Sequence, residues 1–395
     1  MFTPDVKDEI RLNGKRYSFA PHPVVPSIPW GQEGRRAIVY RLDPIGAGKP
    51  YALKVFRQVF RHEGLIEAAA TLEGFRDLPG MDVCDQTVLR EHTHPELVTQ
   101  YPDLDYAMLM PWIEGETWFD VLNLRKPLTL DQSRAIAESM SWVLYALEYN
   151  RLAHCDLSSG NVIVEPNGVD VQLIDVEDVY SPYLVPPPFV PVGTMGYQHH
   201  AVPHAPTGQW SPMGDRFAGA VLMAEMLAWA HPDIREAAHG ESYFAPGELH
   251  AASERYDLLR DVLRVYNPAF AETFEQAWRS TSLDSCPPIE RWYLLFDNLP
   301  RDPVREWAPI EAAGFAAPED PAAADRPPVS AGGDVPPAAP FDDEEEDEDA
   351  DAANSQRAAR RQGCRTVVVV MGVATVVCCY SALIFGQFGS LLEWF

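Results

Sequence analysis

Positive charge is scarce in this chain. Its 31 lysines and arginines face 58 acidic residues, a net charge of -27, which excludes nucleic acid as a partner because that partner demands a basic face. Cysteines are few: positions 84, 155, 286, 364, 378 and 379 show no Cys-x-x-Cys metal spacing, and a reduced compartment is expected. The first ten residues are charged from the start and lack an apolar core of signal-peptide length, so the globular part is expected to stay unexported. A phosphate-binding P-loop is missing too. Gly46, Gly48 and Lys49 suggest one, yet the G-x-x-x-x-G-K-[ST] spacing fails and Pro50 stands where Ser or Thr is required.

What is present begins with core material. At 46% hydrophobic and 11% aromatic content, the 395 residues supply enough for one two-lobed globular unit with appendages. The most informative stretch runs from Arg151 to Asp178. Asn161 opens the apolar run Val162, Ile163 and Val164; Pro166, Asn167 and Gly168 supply a turn; Val169, Val171 and Leu173 follow with period-two spacing. An antiparallel pair of this length brings Asp156 and Asn161 beside Asp175. Two carboxylates and an amide in one place suit Mg²⁺, which takes hard oxygen ligands and is completed by substrate phosphates. Phosphate transfer is the chemistry this predicts.

The residues from His154 to Asn161, H-C-D-L-S-S-G-N, resemble the catalytic loop H-R-D-L-x-x-x-N of protein kinases, and Asp175, Val176 and Glu177 stand where those enzymes carry D-F-G. The resemblance implies that Asp156 accepts the proton of a substrate hydroxyl, while Asn161 and Asp175 hold the Mg²⁺ ions that bridge the phosphates of ATP. It covers about residues 30 to 300. Residues 1–110 are then a β-rich small lobe, with strands over Ala37–Leu42 and Tyr51–Phe56. Ala52 and Lys54 share one face of the second strand, and its Y-A-L-K resembles the kinase V-A-I-K, which implies Lys54 on the phosphates and Ala52 against the base. Val39 falls where kinases close their glycine-rich loop. Counting back from it puts Gln32, Gly34 and Ala37 at the three glycine positions, so Gly34 alone is left beneath a degenerate phosphate lid. A helix is predicted from Arg61 to Arg76, with Glu73 as the ion-pair partner of Lys54 and Glu67 as the alternative.

Residues 111–300 are the corresponding, mainly helical large lobe. A strand from Tyr106 to Met110 leads into a hinge; Pro111 has no N–H, so adenine recognition falls to the backbone of Trp112 and Ile113. Thr129 and Gln132 form a capping box, after which Ile136, Met140, Val143, Leu144 and Leu147 recur at helical spacing. Gly193, Thr194 and Tyr197 resemble the G-T-x-x-Y that ends an activation segment, implying a bond from Thr194 to Asp156. Asp215 opens an almost wholly apolar helix and resembles the aspartate that braces the catalytic loop. The A-P-E motif is absent. Residues 198–204 read Q-H-H-A-V-P-H instead, and their three histidines come without the Cys or carboxylate pattern of a metal site. Cys155 replaces the arginine that clamps an activation-loop phosphate, so activity is expected to be independent of phosphorylation at Tyr180, Ser181 or Thr194. Ser158 replaces a lysine near the transferred phosphate, which predicts slower transfer.

Residues 301–365 are rich in Pro, Ala and acids, with nine acids between positions 342 and 351, and read as a disordered linker. Residues 366–388 are uncharged and long enough to span about 30 Å of hydrocarbon. Arg357, Arg360, Arg361 and Arg365 precede that span and only Glu393 follows it, within a short external tail of residues 389–395. The positive-inside bias therefore puts the kinase-like domain in the cytoplasm, on a single-pass plasma-membrane anchor. The expectation is an α+β, two-lobed protein-kinase-like fold plus one transmembrane helix, acting as a serine/threonine protein kinase with ATP and Mg²⁺ on a protein substrate. Two other readings stay open. His154, Asp156, Asn161 and the run Ile174–Asp178 also resemble the aminoglycoside and choline phosphotransferases, and the altered lid, Cys155 and Ser158 allow a catalytically weak pseudokinase scaffold.

Overall fold

Seven short strands lie near the N-terminus of this computed structural model, which describes residues 2–299. They are β1 (Glu9–Leu12), β2 (Lys15–Phe19), β3 (Gly31–Glu33), β4 (Ala37–Pro44), β5 (Tyr51–Phe56), β6 (Thr87–Val88) and β7 (Met108–Pro111). All pair antiparallel in the order β1-β2-β4-β5-β7-β6, with β3 paired to β4 as well. β2 and β3 share one edge of β4: Phe19 lies opposite Leu42, and Gly31 opposite Tyr40. Between them the chain leaves the ladder through the Pro-rich residues 21–29, where a missing N–H costs nothing.

β5 is buried on both faces, and its period-two alternation sorts them. Leu53 and Val55 pack with Leu12, Phe19 and Leu42 in a core of the sheet's own, whereas Ala52 and Phe56 join the large core shared with the helices. Lys54 lies between Ala52 and Phe56 on that second face and is only 5% exposed. Register puts Val39 opposite Lys54, and Ala52 opposite Met110. Two short helices belong to this part, α1 (Gly64–Leu72) and α2 (Pro95–Gln100). The helix predicted over 61–76 is shorter than expected: Leu65, Ala68, Ala69 and Leu72 form its buried stripe, and Glu73–Phe75 tightens into a 3-10 turn that includes Gly74.

The rest is mainly helical. After β8 (Glu116–Thr117) come α3 (Trp118–Asn123), α4 (Leu130–Tyr149), the hairpin β9 (Val162–Val164) and β10 (Val171–Leu173), then α5 (Arg216–Ala228), α6 (Pro232–Ala237), α7 (Glu254–Tyr266), α8 (Pro268–Trp278) and α9 (Ile289–Asp297). α4 starts at the Thr129–Gln132 capping box, and its apolar stripe packs on α5 and α9. α5 is buried along nearly its whole length, as an all-round apolar helix must be. In the hairpin Leu173 lies opposite Val162 and Val171 opposite Val164. Its second strand begins at Val171 because the Asn167 side-chain oxygen accepts the N–H groups of Val169 and Asp170 and keeps both in the turn. An antiparallel, curled N-terminal sheet followed by a mainly helical part makes the described residues an α+β structure. Among them no helix is long and apolar enough to cross a membrane. The linker, the span at 366–388 and the tail expected after it lie outside the described residues.

Candidate functional site

Lys54 is where the site is assembled. Its Nζ stands 2.9 Å from Asp175 Oδ1 and 2.6 Å from Glu177 Oε1, joining β5 to the segment after β10. The lysine and Glu177 are nearly dry, with side chains 6% and 9% exposed, while the Asp175 carboxylate is half exposed. Burial alone would push the ammonium down; the two carboxylates outweigh it and hold Lys54 above its usual range. Burial likewise pushes the Glu177 carboxyl up, against the pull of Lys54. The local chain makes this possible. Asp175 adopts left-handed backbone at φ 61°, and the 3-10 turn Val176–Asp178 that follows buries Val176 and folds Glu177 back toward the lysine.

Glu177 therefore holds the position expected of Glu73, and that expectation is corrected. α1 ends at Leu72 and Glu73 opens the 3-10 turn that follows; its side chain is 65% exposed and faces Arg76 at 3.7 Å. Glu67, the alternative, is also on the exposed side of α1.

Asp156 and Asn161 are positioned by backbone hydrogen bonds. Buried Asp215 accepts the N–H of His154 at 2.5 Å and that of Cys155 at 2.8 Å, one on each carboxylate oxygen. The His154 ring meets the Ile174 carbonyl through Nε2 at 2.7 Å, and its Nδ1 accepts the Asp156 N–H at 3.3 Å. Ile174 in turn donates its N–H to the Asn161 carbonyl at 3.1 Å, so the residues flanking the hairpin converge as the turn geometry implied. The Asn161 amide nitrogen donates to the Asp156 carbonyl at 2.7 Å, and the Thr194 hydroxyl donates to Asp156 Oδ1 at 3.0 Å. Arg151, Cys155 and Asp175 all have φ near +60°, a conformation that costs non-glycine residues on the order of 1–3 kcal/mol each. Strain gathers on this loop. Cys155 itself is fully buried, and burial pushes its thiol well above the usual range, which makes it inert packing.

The tight turn below β4 is closed by the Gly34 N–H on the Ala37 carbonyl at 2.8 Å. It presents Arg36, whose guanidinium meets Asp178 at 2.6 Å, so the expected lid is tied to the turn after Asp175. Val39 and Ala52 lie on the strands behind it, Val39 partly buried and Ala52 buried. Past β7 the geometry departs from expectation. The Trp112 N–H donates to the Pro50 carbonyl at 3.2 Å, extending the β5–β7 ladder, and is not available to a base; of the two residues expected to meet it, Ile113 is left to offer its N–H. The Trp112 ring meets Trp30 edge-on at 5.0 Å, and the Arg41 guanidinium lies over both rings while pairing with Glu114 at 2.9 Å.

Glu177, the Arg36–Asp178 pair and Glu225 were not singled out from sequence. The acid-rich run at 175–178 carries a signal for the first two. Glu225 carries one as the only acid within an apolar helix: it is fully buried on α5 and accepts from Trp118 Nε1 at 3.2 Å, the Tyr197 hydroxyl at 3.0 Å and the Tyr243 N–H at 2.9 Å. Burial pushes its carboxyl up to about 7. A scan against models of known protein families found no match, and a search of curated proteins found none either.

Proposed function

We propose that this chain is a protein-kinase-like phosphotransferase that moves the γ-phosphoryl group of ATP to a serine or threonine hydroxyl of a protein. The observation that carries the reading is the meeting of Lys54 with Asp175 at 2.9 Å across 121 residues, beside a loop in which Thr194 and Asp215 fix Asp156. A two-lobed kinase-like arrangement accounts for this convergence of a sheet lysine with a hairpin carboxylate. The donor set suits Mg²⁺: the Asn161 amide nitrogen is bound to Asp156, which leaves its oxygen as a hard donor, and Asp175 is half exposed with Oδ1 alone facing Lys54. When bound, ATP would supply the transferred group and Mg²⁺, held by Asn161 and Asp175, the positive charge that offsets its phosphates.

The chain's own residues divide the remaining work. Lys54 presents a permanent ammonium to the phosphates, and Glu177 orients it from the dry side. Asp156, held by Thr194, accepts the hydroxyl proton, while Asp215 and His154 keep the loop in its strained shape. Ser181 is fully buried, which supports activity independent of its phosphorylation. Anchoring by residues 366–388, with this unit on the cytoplasmic side, belongs to the same proposal and rests on the arginines that precede that span. A non-catalytic scaffold is the second reading, favoured by the Trp112 N–H bound to Pro50 and by a Lys54 already satisfied by two carboxylates. The test is Mg²⁺-dependent transfer of phosphate from ATP by the full chain, to itself and to a basic protein, with Asp156→Asn as control. Transfer lost in the variant supports the kinase; nucleotide binding with transfer only to an aminoglycoside or choline favours the small-molecule reading, and no binding leaves the scaffold.

A further inference from the structure

Two of the histidines that follow Tyr197 meet a third from 50 residues away. His199, His200 and His250 each bring one ring nitrogen to within 4.8 Å of the others, and their ring centroids stand 4.1 to 4.5 Å apart. The hydrogen bonds fix which nitrogens carry protons. His250 Nδ1 lies 2.7 Å from the Trp278 carbonyl, which only accepts, so Nδ1 is the protonated atom and Nε2 keeps its lone pair. His199 Nδ1 accepts the Ala201 N–H at 3.0 Å, so its proton sits on Nε2, facing the Ser280 hydroxyl at 3.0 Å. That hydroxyl sends its own proton to the Ala277 carbonyl.

Both lone pairs consequently face adjacent backbone N–H groups of one turn. His250 Nε2 stands 3.4 Å from the backbone N–H of His200, a long contact, and His199 Nδ1 addresses the next residue's N–H. Two imidazoles with the protonated nitrogen on a protein oxygen and the other nitrogen left with its lone pair is the arrangement in which metal-bound histidines are held. His200 is exposed; its ring stacks on that of His199 at 25° from parallel and turns about its side-chain bonds to supply the third nitrogen from the solvent side. His250 also has φ 62°, backbone strain that stacking on Phe217 does not require.

The geometry points to a transition-metal site formed by His199, His200 and His250, binding Zn²⁺ or a similar borderline divalent ion through three imidazoles with a fourth position open to solvent. Three nitrogen ligands without carboxylate suit such ions and disfavour Mg²⁺ or Ca²⁺. On binding, the ion replaces the Ala201 N–H at His199 Nδ1 and the His200 N–H at His250 Nε2. The ion fastens the segment bearing Thr194 and Tyr197 to the end of α8 through Trp278 and Ser280. The assignment is independent of the phosphotransferase reading.

The experiment uses the full chain without a polyhistidine tag, stripped by chelator and titrated with ZnCl2 against a chromogenic competitor, with Co²⁺ absorption as a second readout. We expect one tight equivalent and a visible Co²⁺ spectrum. His200→Ala, at an exposed position that leaves the fold intact, should weaken binding by about tenfold or more, and His250→Gln should do so at least as strongly. His204→Ala, and Ser at Cys364, Cys378 and Cys379 together, should bind as the parent does. A chain that takes up no tight equivalent, or one that His200→Ala binds as tightly as the parent, overturns the assignment.

Discussion

Replacing Lys54 with Met removes the ammonium while keeping the length of the stem, and so isolates the charge that the fold has buried. Glu177, 9% exposed at 2.6 Å from Nζ, would then be a carboxylate with no cation in a dry site. Breaking a buried pair from one side costs about 3–5 kcal/mol, chiefly the desolvation of the charge left behind. Asp175 adds little to that figure, because its half-exposed carboxylate turns to water instead. Glu177→Gln alone should cost less, since Lys54 keeps Asp175 and the amide oxygen still accepts. The double variant Lys54→Met with Glu177→Gln leaves no buried charge and should be more stable than Lys54→Met by at least about 1 kcal/mol.

The assay is urea unfolding of the full chain followed by the fluorescence of its 10 tryptophans. With a slope toward the upper end of about 1–3 kcal/mol/M, the midpoint of Lys54→Met should fall by roughly 1 M or more, and the double variant should recover part of it. A double variant no more stable than Lys54→Met would refute the idea that Glu177 is the buried partner. So would a Lys54→Met protein within about 0.5 kcal/mol of the parent, because that is the scale of a surface substitution.

Glu225 sets a pH dependence whose sign is fixed by its raised carboxyl. A folded value of about 7 against 4.5 means that the native state holds a proton the unfolded chain has lost, so stability falls as pH rises from about 4.5 to 7 and is level above; at 1.36 kcal/mol per unit the parent should lose about 3 kcal/mol relative to Glu225→Gln, checked by unfolding at pH 4.5 and 8. Asp215→Ala should leave the His154 and Cys155 N–H groups without acceptors, at about 1–3 kcal/mol each, and should release the loop to protease in native-state digestion. Gly115→Ala should lower the melting temperature sharply: at φ 145° the new Cβ would stand 2.2 Å from the Val164 carbonyl oxygen, with a cost of about 3 kcal/mol or more.

What the sequence made legible were features encoded within one short window. The Asn167–Gly168 turn between period-two runs specifies the β9–β10 hairpin, and a hairpin by its nature brings its two ends together, so Asp156, Asn161 and Asp175 group from the sequence alone. Alternation in Y-A-L-K likewise put Lys54 on the face of Ala52. The misses share a different physics. Whether Glu73 or Glu177 pairs with Lys54 depends on where α1 ends and on one left-handed residue, Asp175, whose φ no local propensity dictates. The Trp112 N–H was assigned to a ligand because the ladder partner that takes it, Pro50, precedes β5 by one residue and contributes only a carbonyl there. His250 lies outside any spacing rule that includes His199 and His200, and only the packing of its loop against α8 reveals it. Carboxylates and imidazoles choose partners across the tertiary structure, since one buried charge must find another wherever the chain brings it. The same necessity makes the choice informative: a lysine held by two carboxylates keeps one of its three ammonium protons for a phosphate, and Glu177 sets where that proton points, so Glu177→Gln should alter nucleotide affinity even though Glu177 is expected to touch no part of the nucleotide.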